Sequence, residues 1–159
     1  MDGHSGENGH SGAGDVDTAD QQRRWESQRR EVIAAKEAAL RQSRQDEHER
    51  ATAKIRRAVE RFRAAGIAPV PLRARPFSGR GTIRTSLHGW YLKQDRSIAI
   101  DTDARYLVMR VDGGLAARLR GADPEPALAP LVVGRGARDG ETFDLDELLE
   151  KRLQDPVGS

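Results

Sequence analysis

From Gln21 to Ala65 the chain has neither glycine nor proline, and Ala, Arg, Glu and Gln dominate it. No other feature constrains the fold as strongly, because so long a run of good helix formers without a breaker reads as one long, charged helix. Asp17, Thr18 or Asp20 supplies the N-cap, and Gly66 followed by Pro69 and Pro71 supplies the stop.

A helix of this length normally survives by burying an apolar stripe. Two stripes are present. Trp25, Val32, Ile33, Ala39 and Leu40 share one face, whereas His48, Ala51, Ile55, Val59 and Phe62 share another. At about 100° per residue, their centres in one straight helix are rotated by roughly 100°. No coiled-coil heptad joins them, because the register of Trp25 and Val32 runs into Asp46 and that of Ile33 and Leu40 into Glu47.

Between the stripes lies RQSRQDEHER (41–50), without one apolar side chain. It reads in two ways. As a solvated rod it is supported by acid-first pairs four apart, Glu37 to Arg41 and Asp46 to Arg50. As a bend, Asp46 and Glu49 form a capping box that starts a second helix folding back on the first. Either way the stripes serve different contacts: Ile55, Val59 and Phe62 are near enough in sequence to dock on the module C-terminal to them, while Trp25, Val32, Ile33 and Leu40 are left for another chain.

After the stop the period changes from helix to strand. TIRTSLHGWYL (82–92), SIAID (97–101) and RYLVMRV (105–111) are rich in β-branched and aromatic residues, with the turn-like KQDR and TDA between them. They predict an antiparallel meander with one apolar face, carrying Ile83, Leu87, Tyr91, Ile98, Ile100, Leu107, Met109 and Val111. APLVVGRG (129–136) offers a fourth strand, and DLDELLEKRL (144–153) an amphipathic helix with Asp144 as N-cap. The expected fold is α+β: a long helix, a small antiparallel sheet of three to four strands, and a C-terminal helix. Its expected parts are a disordered acidic Gly/Ser-rich tail (1–20), the helix (21–65), a Pro/Arg-rich linker (66–80), the α/β module (81–153) and a short disordered tail (154–159).

Charge is uneven. The formal net charge is +2, yet residues 1–20 hold five acids and no base, no acid stands between Glu60 and Asp95, and residues 139–155 hold seven acids against two bases. Within the acid-free run, Arg61, Arg63, Arg73, Arg75, Arg80 and Arg84, with Phe77 among them, can follow a phosphate backbone and stack on a base. The competing reading is a basic segment neutralised by the acids near the C-terminus.

Of the Lys and Arg residues only four are Lys, a bias that GC-rich coding DNA imposes. The chain has no cysteine, which excludes disulfides, zinc-thiolate sites and thiol catalysis. His4 and His10 in the repeated GHSG, the DTD of 101–103 and the glycines of GRGARDG (134–140) match no metal or phosphate-loop spacing. We therefore expect no catalytic residues, no metal and no cofactor. With no apolar stretch long enough for a membrane and no signal peptide, the expected location is the cytoplasm. The sequence points first to a non-catalytic interaction or adaptor protein that oligomerises or recruits a protein partner through its arm. The alternative is nucleic-acid binding through residues 61–84.

Overall fold

The computed structural model describes residues 12–134 and 140–158. The chain divides into two compact units, one ending at Gln42 and one beginning at Ser43. Helix α1 (Gly12–Ala64) contributes to both. It starts earlier than the sequence suggests: of the segment expected to be a disordered tail, residues 12–20 are helical, and residues 1–11 lie outside the described residues. Extending a helix costs no new nucleus, and Asp15 in the first turn faces the positive end of the helix dipole. Residues 41–50 are helical throughout, so no second helix begins at Asp46.

The helix ends where Gly66 was expected to end it. Gly66 takes φ 75°, the Ile67 N–H donates to the Phe62 carbonyl at 2.9 Å and the Gly66 N–H to the Arg63 carbonyl at 3.0 Å. That pair of bonds is a Schellman stop, and it leaves Ile67 packed against the cluster that contains Phe62.

The second unit is built on a sheet of strands β1 (Val70–Pro76), β2 (Ile83–Tyr91), β3 (Ile98–Asp101), β4 (Tyr106–Val108), β5 (Arg110–Val111) and, after the short helix α2 (Leu115–Arg120), β6 (Pro126–Ala127). Their order is β5-β1-β2-β3-β4-β6, antiparallel throughout except for the parallel pairing of β5 with β1. Strands β4 and β5 are successive halves of one segment, so the sheet meets itself. The hinge is Met109, whose N–H donates to the Ser97 carbonyl at 2.8 Å while its own carbonyl accepts from the Arg75 N–H at 2.9 Å. The strands thus curl into a small barrel-like sheet. Strand β2 passes from β1 to β3 at Gly89, which pairs with Val70 on one side and Asp101 on the other. A Cβ there would stand 2.0 Å from the Ile100 carbonyl oxygen, so only glycine allows the approach.

The expected sheet of three to four strands is thus six, with a separate ribbon of β7 (Val132–Val133) and β8 (Phe143–Asp144). The meander itself stands as β2, β3 and β4–β5. The segment expected as a linker, residues 66–80, contains β1, hydrogen-bonded on both edges. Its prolines sit where a central strand tolerates them, Pro71 beside a shift of register and Pro76 at the strand's end. Leu72 and Ala74 point inward and Arg73 and Arg75 outward.

Both faces of the sheet are apolar, where one was expected. Leu72, Ala74, Ile83, Tyr91, Ala99, Leu107, Met109 and Val111 fill the barrel. On its outer face Trp90, Leu92, Ile100 and Tyr106 pack with Ala51, Ile55, Val59 and Phe62 of α1 and with Leu145, Leu148 and Leu149 of helix α3 (Leu145–Gln154). Each large side chain so buried contributes roughly 1.5–3 kcal/mol, an upper estimate. The Phe62 and Trp90 rings meet with centroids 5.6 Å apart, and the Trp90 indole N–H donates to the Ile67 carbonyl at 2.9 Å. Asp144 caps α3 by accepting from the Asp146 N–H at 3.0 Å.

Part of RQSRQDEHER belongs to this packing. His48 Nδ1 accepts from the Ala129 N–H at 2.8 Å, and Glu47 Oε1 from the Leu131 N–H at 3.0 Å. These side chains satisfy backbone donors of the loop that precedes β7. Among the described residues no helix is long and apolar enough to cross a membrane.

Candidate functional site

The arm residues chosen from the sequence all lie in the first unit, on an exposed helix. Trp25, Val32, Ile33 and Leu40 are 54, 53, 47 and 52% exposed. Local contacts dress this helix without covering the stripe: the Arg29 guanidinium lies 5.3 Å from the centre of the Trp25 ring, Gln22 donates to Glu26 at 3.0 Å, and Arg23 pairs with Asp20.

The basic residues of 61–84 are engaged with different partners. Arg61 is paired with Glu150 of α3 at 2.7 Å, and that bond holds the Glu150 carboxyl below the usual carboxylate range. Lys54 pairs with Asp146 on the same helix. Part of the basic segment is thus neutralised by the C-terminal acids, as one reading of the charge pattern held. Arg63 donates to the Thr102 carbonyl at 3.3 Å and Arg84 to the Leu119 carbonyl at 3.3 Å. Arg80 is exposed, its carbonyl accepting from Arg118 at 3.2 Å. Phe77 stands 67% exposed.

Arg73 and Arg75 are brought together, on alternate outward positions of β1. They line a cleft of about 530 Å³ with Thr82, Tyr91, Gln94, Asp95 and Arg96. Each of its guanidinium groups is held by a neutral acceptor: Arg73 Nε donates to Thr82 Oγ1 at 2.8 Å, Arg75 to the Asp95 carbonyl at 2.8 Å, and Arg96 to the Gly158 carbonyl at 3.0 Å. The Arg96 guanidinium also lies 5.4 Å from the centre of the Tyr91 ring. The Asp95 carboxylate is turned to the Ser97 N–H and hydroxyl at 3.0 and 2.6 Å, with Lys93 at 3.7 Å. Burial raises its pKa, but these hydrogen bonds, Lys93 and Arg75 together hold it below the ordinary value.

Sequence reasoning missed Arg96, Thr82, Tyr91 and Gln94 as members of a site, since they come from different strands and turns. One local signal existed for Arg96: a base in a four-residue turn between two strands. Asp101, the first carboxylate of DTD, is buried and organises the turn that follows it, its Oδ1 accepting from the Asp103 and Arg105 N–H groups at 2.9 Å and its Oδ2 from Arg105 Nε at 2.6 Å. Arg152 is also buried, with one hydrogen bond from Nη1 to the Asp155 carbonyl at 3.1 Å and no partner for Nε among the described residues. His4, His10 and the centre of GRGARDG (135–139) lie outside the described residues. Compared with known protein families, with curated proteins and with solved structures, the chain matches none.

Proposed function

We propose that the chain is a non-catalytic interaction protein in which a compact barrel anchors a helical arm, and the arm binds a second helix, from another copy or a protein partner. The observation that carries this reading is the stripe of Trp25, Val32, Ile33 and Leu40, each about half exposed in a unit of its own. A polar helix surface needs no such residues. A stripe of four large apolar side chains on a lone helix finds its stabilisation in association.

Light scattering over a range of concentration tests it. The intact protein should exceed the monomer mass or capture a partner, and Val32→Asp with Leu40→Asp should abolish this while leaving the melting temperature of the barrel unchanged. A wild type that stays monomeric and captures nothing removes the reading.

Nucleic-acid binding through 61–84 is the second reading, and the exposure of Phe77 beside Arg75 favours it. Arg61 engaged with Glu150 weighs against it. It requires that RNA or DNA affinity fall steeply with salt, and that Arg80→Ala lower the salt slope by somewhat under one unit.

A further inference from the structure

We propose that the cleft between β1 and the β2–β3 turn is a binding site for a phosphate monoester. Its lining is rich in donors, three of its seven residues being arginines. Arg73, Arg75 and Arg96 stand against Asp95 alone, a formal +2; among the described residues none of the three is in a salt bridge with a carboxylate, although the charge of Arg75 acts on Asp95. The single hydrogen bond that each makes to a neutral oxygen fixes the group and leaves its remaining N–H groups available.

The hydroxyls act in the same sense. Thr82 Oγ1 accepts from Arg73 Nε, and the Tyr91 hydroxyl accepts from the Arg73 backbone N–H at 2.8 Å, so each keeps its own proton to donate. The Asp95 carboxylate, the one charged acceptor in the lining, is occupied by Ser97 and Lys93. A site with several donors, two excess positive charges and no free acid matches a group with three accepting oxygens and two negative charges. A phosphate monoester has these, whereas a carboxylate offers two oxygens and one charge. At about 530 Å³ the cleft has room for the ester's organic part as well.

Arg96 is placed by its turn. Its backbone stands at φ 60°, in the left-handed region where glycine or asparagine is the unstrained choice. Ala104 takes the same conformation in the next turn, at φ 61°, so the backbone is a property of these turns; what is particular to Arg96 is that its guanidinium lies over the Tyr91 ring in the lining of the cleft.

The test is calorimetric titration of the full-length protein with inorganic phosphate and with glycerol phosphate, against chloride at matched ionic strength. Either phosphate should bind saturably, and tighter binding of the ester separates a bound metabolite from the free ion. Arg96→Gly should weaken binding by about tenfold or more, the loss expected for a hydrogen bond to a charged group, with the melting temperature held or raised because glycine relaxes the turn. Arg73→Gln and Arg75→Gln, on the exposed face of β1, should each weaken it similarly. Phosphate that behaves as chloride does, or binding that survives all three substitutions, means an adventitious ion only and overturns the proposal. So does binding of a single-stranded oligonucleotide without binding of the ester. The arm variants touch none of these residues, so failure here and failure of the association reading are separable.

Discussion

Leu40 and Ile55 are aliphatic residues of one helix, yet Leu40 is 52% exposed and Ile55 0%. The two stripes they belong to have similar composition. What differs is the sequence that each can meet. The stripe of Ala51, Ile55, Val59 and Phe62 stands immediately before the stop at Gly66, so the chain that turns there returns a barrel face carrying Trp90, Ile100 and Tyr106 to it. The polar side chains of Glu47 and His48 then close the seam by taking backbone N–H groups of Leu131 and Ala129. Toward the N-terminus, in the first unit, the stripe of Trp25, Val32, Ile33 and Leu40 stays about half exposed. Amphipathicity says that a helix face seeks a partner. Where the partner comes from is set by topology.

The largest expected effect comes from separating the buried stripe from its barrel. A fragment from Gly81 loses α1 and also β1, which joins β2 to β5 by hydrogen bonds, and should show no cooperative melting and poorly dispersed amide signals. A fragment from Ser43 keeps every contact of the second unit and should melt in one transition. Were the shorter fragment to fold cooperatively, the two stripes would be equivalent after all, both being appendages.

Next in size is a single ring. Phe62 is 1% exposed and packs on Trp90, so Phe62→Ala should cost about 3–5 kcal/mol by chemical denaturation, as a cavity that the barrel wall cannot fill. A loss below about 1 kcal/mol would mean that the helix and barrel are only loosely apposed.

How far the sequence announced this arrangement depends on how local each signal is. The meander, the Gly66 stop, the Asp144 cap and the docking of Ile55, Val59 and Phe62 follow from periodicity and turn chemistry, which act over a few residues. Strand β1 was hidden because its inward positions are Leu72, Ala74 and Pro76, only one of them a large aliphatic, while Pro69, Pro71 and the flanking arginines resemble a linker. The curl of the sheet was hidden for another reason: it turns on Met109 bonding two strands at once, a property of twist and not of composition. The same holds for the cleft. Charge alone singled out Arg73 and Arg75, but nothing near Arg96 ties it to them, because long-range pairing brings that turn beside β1.

The buried stripe also shares its cluster with an ionisable group, which the exposed stripe lacks. Burial pushes the Tyr106 hydroxyl up to about 12 from an ordinary value of 10.0. Folding therefore favours the neutral phenol: its contribution is fully present below pH 10 and is lost as pH rises through about 12. The loss should reach roughly 2–3 kcal/mol at about 1.4 kcal/mol per unit. Denaturation at a series of alkaline pH values should show this decline, and Tyr106→Phe should flatten it while leaving stability at pH 7 nearly unchanged. An identical decline in the variant would place the alkaline weakness elsewhere, outside the cluster around the buried stripe.

The smallest expected effect is the complement of these. Leu40 is half exposed in the first unit and belongs to neither buried cluster of the described residues, and alanine is the better helix former by a few tenths of a kcal/mol. In dilute, monomeric protein the substitution Leu40→Ala should change the unfolding free energy by no more than about 0.5 kcal/mol either way. At concentrations where the protein associates, the same variant should be less stable than the wild type, because association stabilises the folded form increasingly as the free concentration rises and removing part of the contact surface reduces that gain. The dependence on concentration is what distinguishes a stripe covered by another molecule from one that packs in its own chain. A cost above about 1 kcal/mol that is independent of dilution would mean that Leu40, like Ile55, has its partner within the same molecule, and the arm would then be part of the fold and not a docking surface.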